Sequence, residues 1–438
     1  MLKFLAWLLV PLLPLVGFVS AALMRETDHS LWRMNFQPNQ AVSVLGYADQ
    51  GQTLLLAERP YDEKKLRAGN FFEAVIGLNM KTGQQLYRTP LPSLASSEDG
   101  YIAMSLSEDG GTLVLSKLQR KGSHGPEVFD WKHNKIIKTY EDKNHGAFNE
   151  VQLHCGIMSA IAHWSDQIRL VTWRDDVKEP QCISMLVEQQ NRQSPVWLNM
   201  RCMEMSQDGK RAHVYTNVGL PSQLFIFDYE TRSKLQVIDG CFRGVYWSAD
   251  HSSFLAIQYE AEMGQTYARK YAWQQGKYVS DESTKTQVAL QLESELNRVG
   301  NFFAAGSWVQ TNPTRLSIAK TTVKYFGMRG LAVIDFLWPP GEEVNVYDCT
   351  SGQLLHQTVV PTEWYRSKFY PTSDGKAVIL CRDQAVALWG LSHYSGWFPI
   401  IGLFIGILSS SLWAWRLLHH RPNLKLPSPI LVNTEGAS

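Results

Sequence analysis

One short turn, Met205-Ser206-Gln207-Asp208-Gly209-Lys210, sets the terms on which this chain can fold. An apolar stretch precedes it, the alternating run Arg211 to Tyr215 follows, and LFIFDYETRSKLQVI runs from Leu224 to Ile238. Ser and Asp side chains accept hydrogen bonds from backbone N–H groups just downstream, and Gly takes the left-handed conformation that a side chain disfavours. The stretch therefore reads as four antiparallel strands: an apolar strand, a tight turn, an alternating strand, a loop, then two strands joined by a polar hairpin.

The unit recurs along the chain. YADQGQTLLLAE turns at Asp49-Gln50-Gly51, and AVIGLNMKTGQQLYRT supplies two further strands with Thr82-Gly83 at the hairpin. MSLSEDGGTLVLSKL turns at Asp109-Gly110 and is followed by EVFDWKHNKIIKTY. IAHWSDQIRLVTW keeps Ser165-Asp166 without a Gly and reads as a degenerate third copy, continued by CISMLVEQQNRQSPVWL. The fourth copy is the one quoted first, and VYWSADHSSFLAIQYE with YARKYAWQQGKYV makes a fifth. NRVGNFFAAGSWVQT opens a sixth, VNVYDCTSGQLLHQTVV closes it, and FYPTSDGKAVILCRDQAVALWGL is the last. The aspartates at 49, 109, 166, 208 and 250 are spaced by 60, 57, 42 and 42 residues. A period of roughly 40 to 60 residues points to a radial array of small sheets.

The last unit holds only three strands, whereas HSLWRMNF at 29 to 36 is a strand with no neighbour in sequence. Pairing the first strand with the last unit closes a ring and removes its exposed edges. A serine two residues before Asp-Gly, then an aspartate with a Thr-Gly or Ser-Gly hairpin, resembles the WD-repeat and quinoprotein-like β-propeller superfamily over residues 29 to 392. The Trp-Asp pair of such repeats is replaced here by Asp228-Tyr229, Asp348-Cys349 and Trp389-Gly390. The resemblance implies an all-β fold: a propeller of seven four-stranded blades closed by the N-terminal strand. It brings no catalytic residues with it.

Residues 281 to 343 break the rhythm and are expected to form an irregular blade with a helical insertion. Asn312-Pro313 reads as a helix start, Leu316, Ala319, Val323 and Phe326 fall on one face, and Gly327 can end it. Arg315, Lys320, Lys324 and Arg329 lie around that helix. They read as solvated residues of a capping helix, with acidic lipid headgroups or a partner as the functional alternative.

Both ends of the chain address a membrane. Residues 1 to 24 are charge-free from Phe4 through Met24, and Val19-Ser20-Ala21-Ala22 offers small residues for cleavage. The segment reads as a signal peptide or an uncleaved signal anchor. Residues 397 to 418 are expected to form a transmembrane helix, with Trp397, Trp413 and Trp415 at its interfaces. Arg416, His419, His420, Arg421 and Lys425 follow, so 419 to 438 is expected to be a basic cytoplasmic tail and the propeller extracytoplasmic. Gly402 and Gly406 form a G-x-x-x-G pattern that could support a weak dimer.

The 42 Lys and Arg against 41 Asp and Glu give a net charge of +1, which argues against nucleic acid as a partner. The six cysteines, Cys155, Cys182, Cys202, Cys241, Cys349 and Cys381, contain no C-x-x-C pair and read as core thiols before a disulfide framework. Nucleophile elbows, zinc-protease, Walker, haem and calcium-loop patterns are all missing from the sequence. His154-Cys155 is a poor nucleophile and base, because neighbours on a strand point to opposite faces. His163, His213 and His251 read as turn or strand residues. The expected function is a membrane-anchored extracytoplasmic scaffold that binds a protein or a small ligand, with no catalytic, cofactor-binding or metal-binding residue designated and no cofactor. The alternative is a propeller enzyme of quinoprotein-like or hydrolase type, with its active residues dispersed around the channel.

Overall fold

The computed structural model describes residues 30–391, apart from segments 61–71, 93–99, 119–124, 142–147, 175–178, 186–199, 217–222, 289–296, 309–320 and 325–340 and a few shorter gaps, together with 411, 412 and 415. The chain divides into two compact units. One comprises His29–Lys320 with Pro340–His393, and the other Met1–Asp28, Thr321–Pro339 and Tyr394–Ser438.

Seven four-stranded antiparallel sheets make up the first unit, in the order expected of blades. The chain enters with β1 (Ser30–Asn35) and then builds blade 1 from β2 (Gln40–Ala48), β3 (Thr53–Pro60), β4 (Ala74–Asn79) and β5 (Gln85–Pro90). Blade 2 holds β6 (Gly100–Leu106), β7 (Leu113–Leu118), β8 (Glu127–Asp130) and β9 (Lys135–Thr139). Blade 3 holds β10 (Phe148–His154), β11 (Ile157–Trp164), β12 (Gln167–Arg174) and β13 (Gln181–Met185). Blade 4 is β14 (Met200–Met205), β15 (Arg211–Thr216), β16 (Gln223–Asp228) and β17 (Ser233–Asp239). Blade 5 is β18 (Cys241–Trp247), β19 (Ser253–Glu260), β20 (Gln265–Gln274) and β21 (Lys277–Val288). Blade 6 is β22 (Asn297–Val299), β23 (Phe302–Trp308), β24 (Gly341–Asp348) and β25 (Leu354–Pro361). Blade 7 is β26 (Lys368–Pro371), β27 (Ala377–Arg382) and β28 (Ala385–Gly390), and β1 pairs with β28 as its fourth strand.

Burial follows from stacking sheet on sheet. Second strands are covered on both faces by neighbouring blades, so they read as unbroken apolar runs instead of alternating. Leu54, Leu55, Leu56 and Ala57 of β3 are fully buried, as are Val378, Ile379 and Leu380 of β27. Outermost strands have one edge in solvent, and β9 alternates between half-buried and exposed residues.

In blades 2, 4, 5 and 7 the turn after the innermost strand is held by one recurring device. The hydroxyls of Ser107, Ser206, Ser248 and Thr372 donate to the carbonyl five residues on, at 2.9, 3.0, 2.8 and 3.0 Å. Each also accepts the N–H of that same residue, at 2.9, 2.9, 3.2 and 3.0 Å. Asp109 accepts from the Ser107 hydroxyl and the Gly111 amide, and these bonds hold its carboxyl below the usual range. A second device is an outer-strand bulge, which leaves one aliphatic residue without a ladder partner. It places Leu31, Leu86, Ile137, Leu235 and Leu355 at corresponding points of blades 7, 1, 2, 4 and 6.

The third repeat is phased differently from the sequence reading. Ser165 and Asp166 fall between β11 and β12, the second and third strands, so they do not correspond to the Asp-Gly turns of the other blades. The corresponding turn is Cys155-Gly156, closed by the His154–Ile157 pair, with φ of 47° at Cys155 and 74° at Gly156. Two consecutive positive φ values make the tight hairpin that Asn-Gly or Asp-Gly usually supplies. A cysteine in the first place concealed it, and the inner-turn glycines Gly51, Gly110, Gly156 and Gly209 are spaced by 59, 46 and 53 residues.

Of the expected insertion, Thr321, Val323 and Lys324 are helical, and the remainder of 312 to 327 lies outside the described residues. Ser411, Leu412 and Trp415 are helical as well. Among the described residues no helix is long and apolar enough to cross a membrane. Residues 1 to 24, most of 397 to 418, the tail at 419 to 438, and Gly402 and Gly406 lie outside the described residues.

Candidate functional site

Strand direction divides the connections of the propeller between two rims. With four antiparallel strands per blade, the first-to-second and third-to-fourth turns emerge on one rim. The second-to-third turns and the passages between blades emerge on the other. Nearly all short turns described above sit on the first rim, including Asp130 to Asn134 and Asp348 to Gly352. The strand ends at the second rim are those joined by the long connections in sequence: 61–73, 91–99, 140–147, 186–199, 289–296 and 309–340. Binding residues concentrate on loops held by a rigid scaffold, which makes the second rim the candidate face. Both ends of the propeller chain, Ser30 and Gly390, belong to the turn rim, because Ser30 pairs with Trp389 at the end of β28.

The innermost strands that face the central channel of such a fold carry a further irregularity. In blades 2 to 5 each has one extra residue at the corresponding level: Ile102, Asn149, Arg201 and Arg243. Blade 1 has Leu45 nearby. Bulges of this kind re-aim side chains and are frequent beside functional sites. By residue type these extra residues are apolar in blades 1 and 2, Leu45 and Ile102, and polar in blades 3 to 5, Asn149, Arg201 and Arg243.

Buried side-chain polar atoms without a partner occur in all seven blades, and those of blades 3 to 5 include Gln152, His213, Arg243 and Trp247. Glu150 follows the β10 bulge, and among the described residues no hydrogen bond or ion pair reaches its carboxyl. Burial pushes that carboxyl up to about 7. Two residues on, the Gln152 side-chain oxygen is buried without a partner. Across blade 4, the same is true of Arg243 Nε, Trp247 Nε1 and both ring nitrogens of His213. His213 is 1% exposed and pairs across the sheet with Glu204, whose Oε2 lies 3.8 Å from His213 Nε2. Burial pushes the imidazole down to about 3, so it is neutral at ordinary pH. Its ring lies 5.6 Å from Trp247 and 6.4 Å from Tyr215, and the Tyr215 hydroxyl donates to the Arg243 carbonyl at 3.0 Å.

Charged groups at the loop rim are, by contrast, satisfied within the blades. Glu58 accepts from Arg88 at 2.6 Å and from Gln40 at 2.8 Å. Glu260 accepts from Arg269 at 2.8 Å and Lys285 at 2.7 Å. Lys117 pairs with Glu127, which also receives the Tyr101 hydroxyl. These pairs tie strands together. Their side chains are committed to one another.

The histidines singled out in the sequence separate in space. His163 lies on β11 opposite Ile168, His213 lies in the wall between blades 4 and 5, and His251 lies outside the described residues. His154 ends β10 and Cys155 occupies the following turn, exposed. Cys349 and Cys381 are buried as expected of core thiols, whereas Cys155 and Cys182 are exposed and Cys241 is half-buried, contrary to that expectation. Among the described residues no group of three metal-ligating side chains comes together. Glu150, Arg201 and Arg243 were not marked by the sequence reading; their signal is a charge interrupting an otherwise apolar first strand, in FNEVQLH, MRCMEM and CFRGVYW.

No protein-family model and no curated protein matches the chain. Among solved structures it is similar to the β-propeller domain of Cps50 (Swd1) from Myceliophteria thermophila, at 12% identity and a TM-score of 0.47, over 82% of this chain and 99% of that one. It is also similar to hydrazine synthase from Kuenenia stuttgartiensis, at 11% identity and a TM-score of 0.43, over 80% and 96%. Likeness at this level carries no argument about activity. What its own seven four-stranded sheets establish is the fold, a seven-bladed β-propeller.

Proposed function

We propose that this protein is a membrane-anchored, extracytoplasmic propeller that serves as a binding scaffold, with a protein or small-ligand partner held on the loop rim. The observation that carries the reading is the division of the two rims: long connections on one, tight turns and both chain ends on the other. Such an arrangement supports tethering from one side and presentation from the opposite side. The apolar segments 1 to 24 and 397 to 418 and the basic residues after Trp415 support the membrane assignment, with the tail at 419 to 438 in the cytoplasm.

Cysteine labelling in intact cells tests the orientation. Cys155 and Cys182 are exposed on the propeller, so a membrane-impermeant maleimide should label the wild type, and the Cys155→Ser, Cys182→Ser double variant should lose that signal. A Ser438→Cys tail on the double-variant background should react only after permeabilisation. Labelling of the propeller cysteines only after permeabilisation would overturn the assignment.

A further inference from the structure

We propose that one arc of the turn rim, across blades 6, 7, 1 and 2, rests against the surface of the lipid bilayer, with the bulged residues Leu355, Leu31, Leu86 and Ile137 entering the apolar side of the headgroup layer. This deepens the membrane-anchored reading above and rests on it.

The bulges supply the first observation. Each falls within the first three residues of an outermost strand, at the end of that strand that belongs to the turn rim. Leu31 is 65% exposed, Ile137 56%, Leu86 50% and Leu355 41%, and Leu354 beside the last is 49% exposed. A single exposed leucine says little, but aliphatic residues released from the ladder at one structural position in four blades form a patterned apolar surface. The four blades are neighbours: β2 packs against β27 and β6, and β22 and β23 pack against β26. Elsewhere the row fades. In blade 4 the equivalent Leu235 is half-buried, and the outermost strand of blade 5 is interrupted by Glu282, Ser283, Thr284 and Lys285.

Where the chain leaves the propeller is the second observation. Ser30 and Gly390 both lie on the turn rim of blade 7, inside the arc. Ser30 is six residues from Met24, the end of the first apolar segment, and Gly390 is seven residues from Trp397, the start of the second. Fully extended, those connections reach about 20 and about 25 Å. With both segments in the bilayer, two short tethers on one blade hold that side of the rim close to the surface.

The charges around the row suit an interface. Lys81, Lys135 and Lys132, which also pairs with Asp49, are exposed in the hairpins of blades 1 and 2. Carboxylates of these hairpins are turned onto their own amides: Asp130 accepts from the Lys132 and His133 N–H groups, and Asp348 from those of Thr350 and Ser351. Lysine beside exposed aliphatic residues favours the boundary between headgroups and chains, where the hydrocarbon is buried and the ammonium reaches phosphate. A partner helix docks in a continuous apolar groove. Here one or two aliphatic side chains per blade are separated by exposed polar residues such as Gln84, Gln85 and Lys135, which suits a plane laid against a rim.

The test uses full-length protein reconstituted into vesicles of phosphatidylethanolamine and phosphatidylglycerol. A dansyl-bearing amino acid replaces Leu86, Ile137 or Leu355 in separate variants, or Met263 on the opposite rim, which is 60% exposed. Circular dichroism checks sheet content in each, and carbonate-resistant sedimentation with the vesicles reads anchoring itself. Exchanging the lipids for chain-brominated forms should quench dansyl emission by about half or more at the three arc positions and leave Met263 unchanged. Loss of carbonate-resistant sedimentation overturns the anchored reading and this inference with it. Sedimentation that persists without quenching at the arc overturns this inference alone. Blue-shifted arc emission that brominated chains do not quench would put a segment of the chain or a second copy over the row, and quenching at Met263 equal to the arc's would remove its sidedness; either result overturns the proposal.

Discussion

His213, buried between blades 4 and 5, and Glu150, on the innermost strand of blade 3, respond to pH in opposite ways. The folded imidazole ionises near 3 and the unfolded one near 6.5, so below 6.5 the unfolded chain gains a proton that the folded one refuses. Stability contributed by His213 is present above that point and is lost as pH falls, at about 1.4 kcal/mol per pH unit. For Glu150 the folded carboxyl holds its proton up to about 7, whereas the unfolded one releases it near 4.5. Its contribution therefore falls as pH rises through that window, and the two slopes oppose each other between about 4.5 and 6.5. Chemical denaturation at stepped pH should show a shallower acid loss in His213→Phe and a shallower loss towards neutrality in Glu150→Gln. Parent-like slopes in both variants would contradict these assignments. Neither role was legible from sequence, because burial is set by residues distant in the chain, as Trp247 of blade 5 packs on His213 of blade 4.

At the scale of elements, the turn after the innermost strand joins one blade to the next. Gly110 has a φ of 68°, and a Cβ there would meet the Ala48 Cα at 2.8 Å and the Tyr47 carbonyl oxygen at 2.9 Å. Gly264 has a φ of 64° with nothing within 4 Å of the corresponding position. Alanine at Gly264 should cost about 1 kcal/mol from backbone strain alone, and alanine at Gly110 at least about 2 kcal/mol. Equal losses in urea denaturation would mean that the turn does not abut blade 1 as described. Six of the seven sets of strands were legible in the sequence because Asp-Gly and Ser-Gly turns act locally, through hydroxyl and carboxyl bonds spanning two to five residues. Blade 3 was out of phase for the same reason. Its turn uses Cys155-Gly156, whose positive φ values come from backbone geometry that a cysteine does not advertise. The bulges that place Asn149, Arg201 and Arg243 depend on pairing between strands and leave only an interrupted apolar pattern.

For the whole molecule, closure rests on β1. Trp32 is buried among residues of blades 1 and 7, its Nε1 donates to the Met80 carbonyl at 2.7 Å, and its ring lies against Gly83. Trp32→Ala should cost about 3–5 kcal/mol. Leu31→Ser, one residue away on the exposed bulge, should change stability by no more than about 0.5 kcal/mol. Comparable losses in the two variants, read by thermal melting, would contradict a ring clasped by this strand. The orphan strand and three-stranded last unit made closure legible, whereas the face on which a partner would sit followed only from strand direction in all seven blades. Site-specific photo-cross-linking in native membranes tests that face most directly. Probes at Met263 and Arg382 report on the loop rim, and probes at Lys81 and Arg232 on the turn rim. Scaffold binding predicts discrete protein or ligand adducts from Met263 or Arg382 and none from Lys81 or Arg232. Adducts confined to the turn rim, or none from either rim, would contradict it.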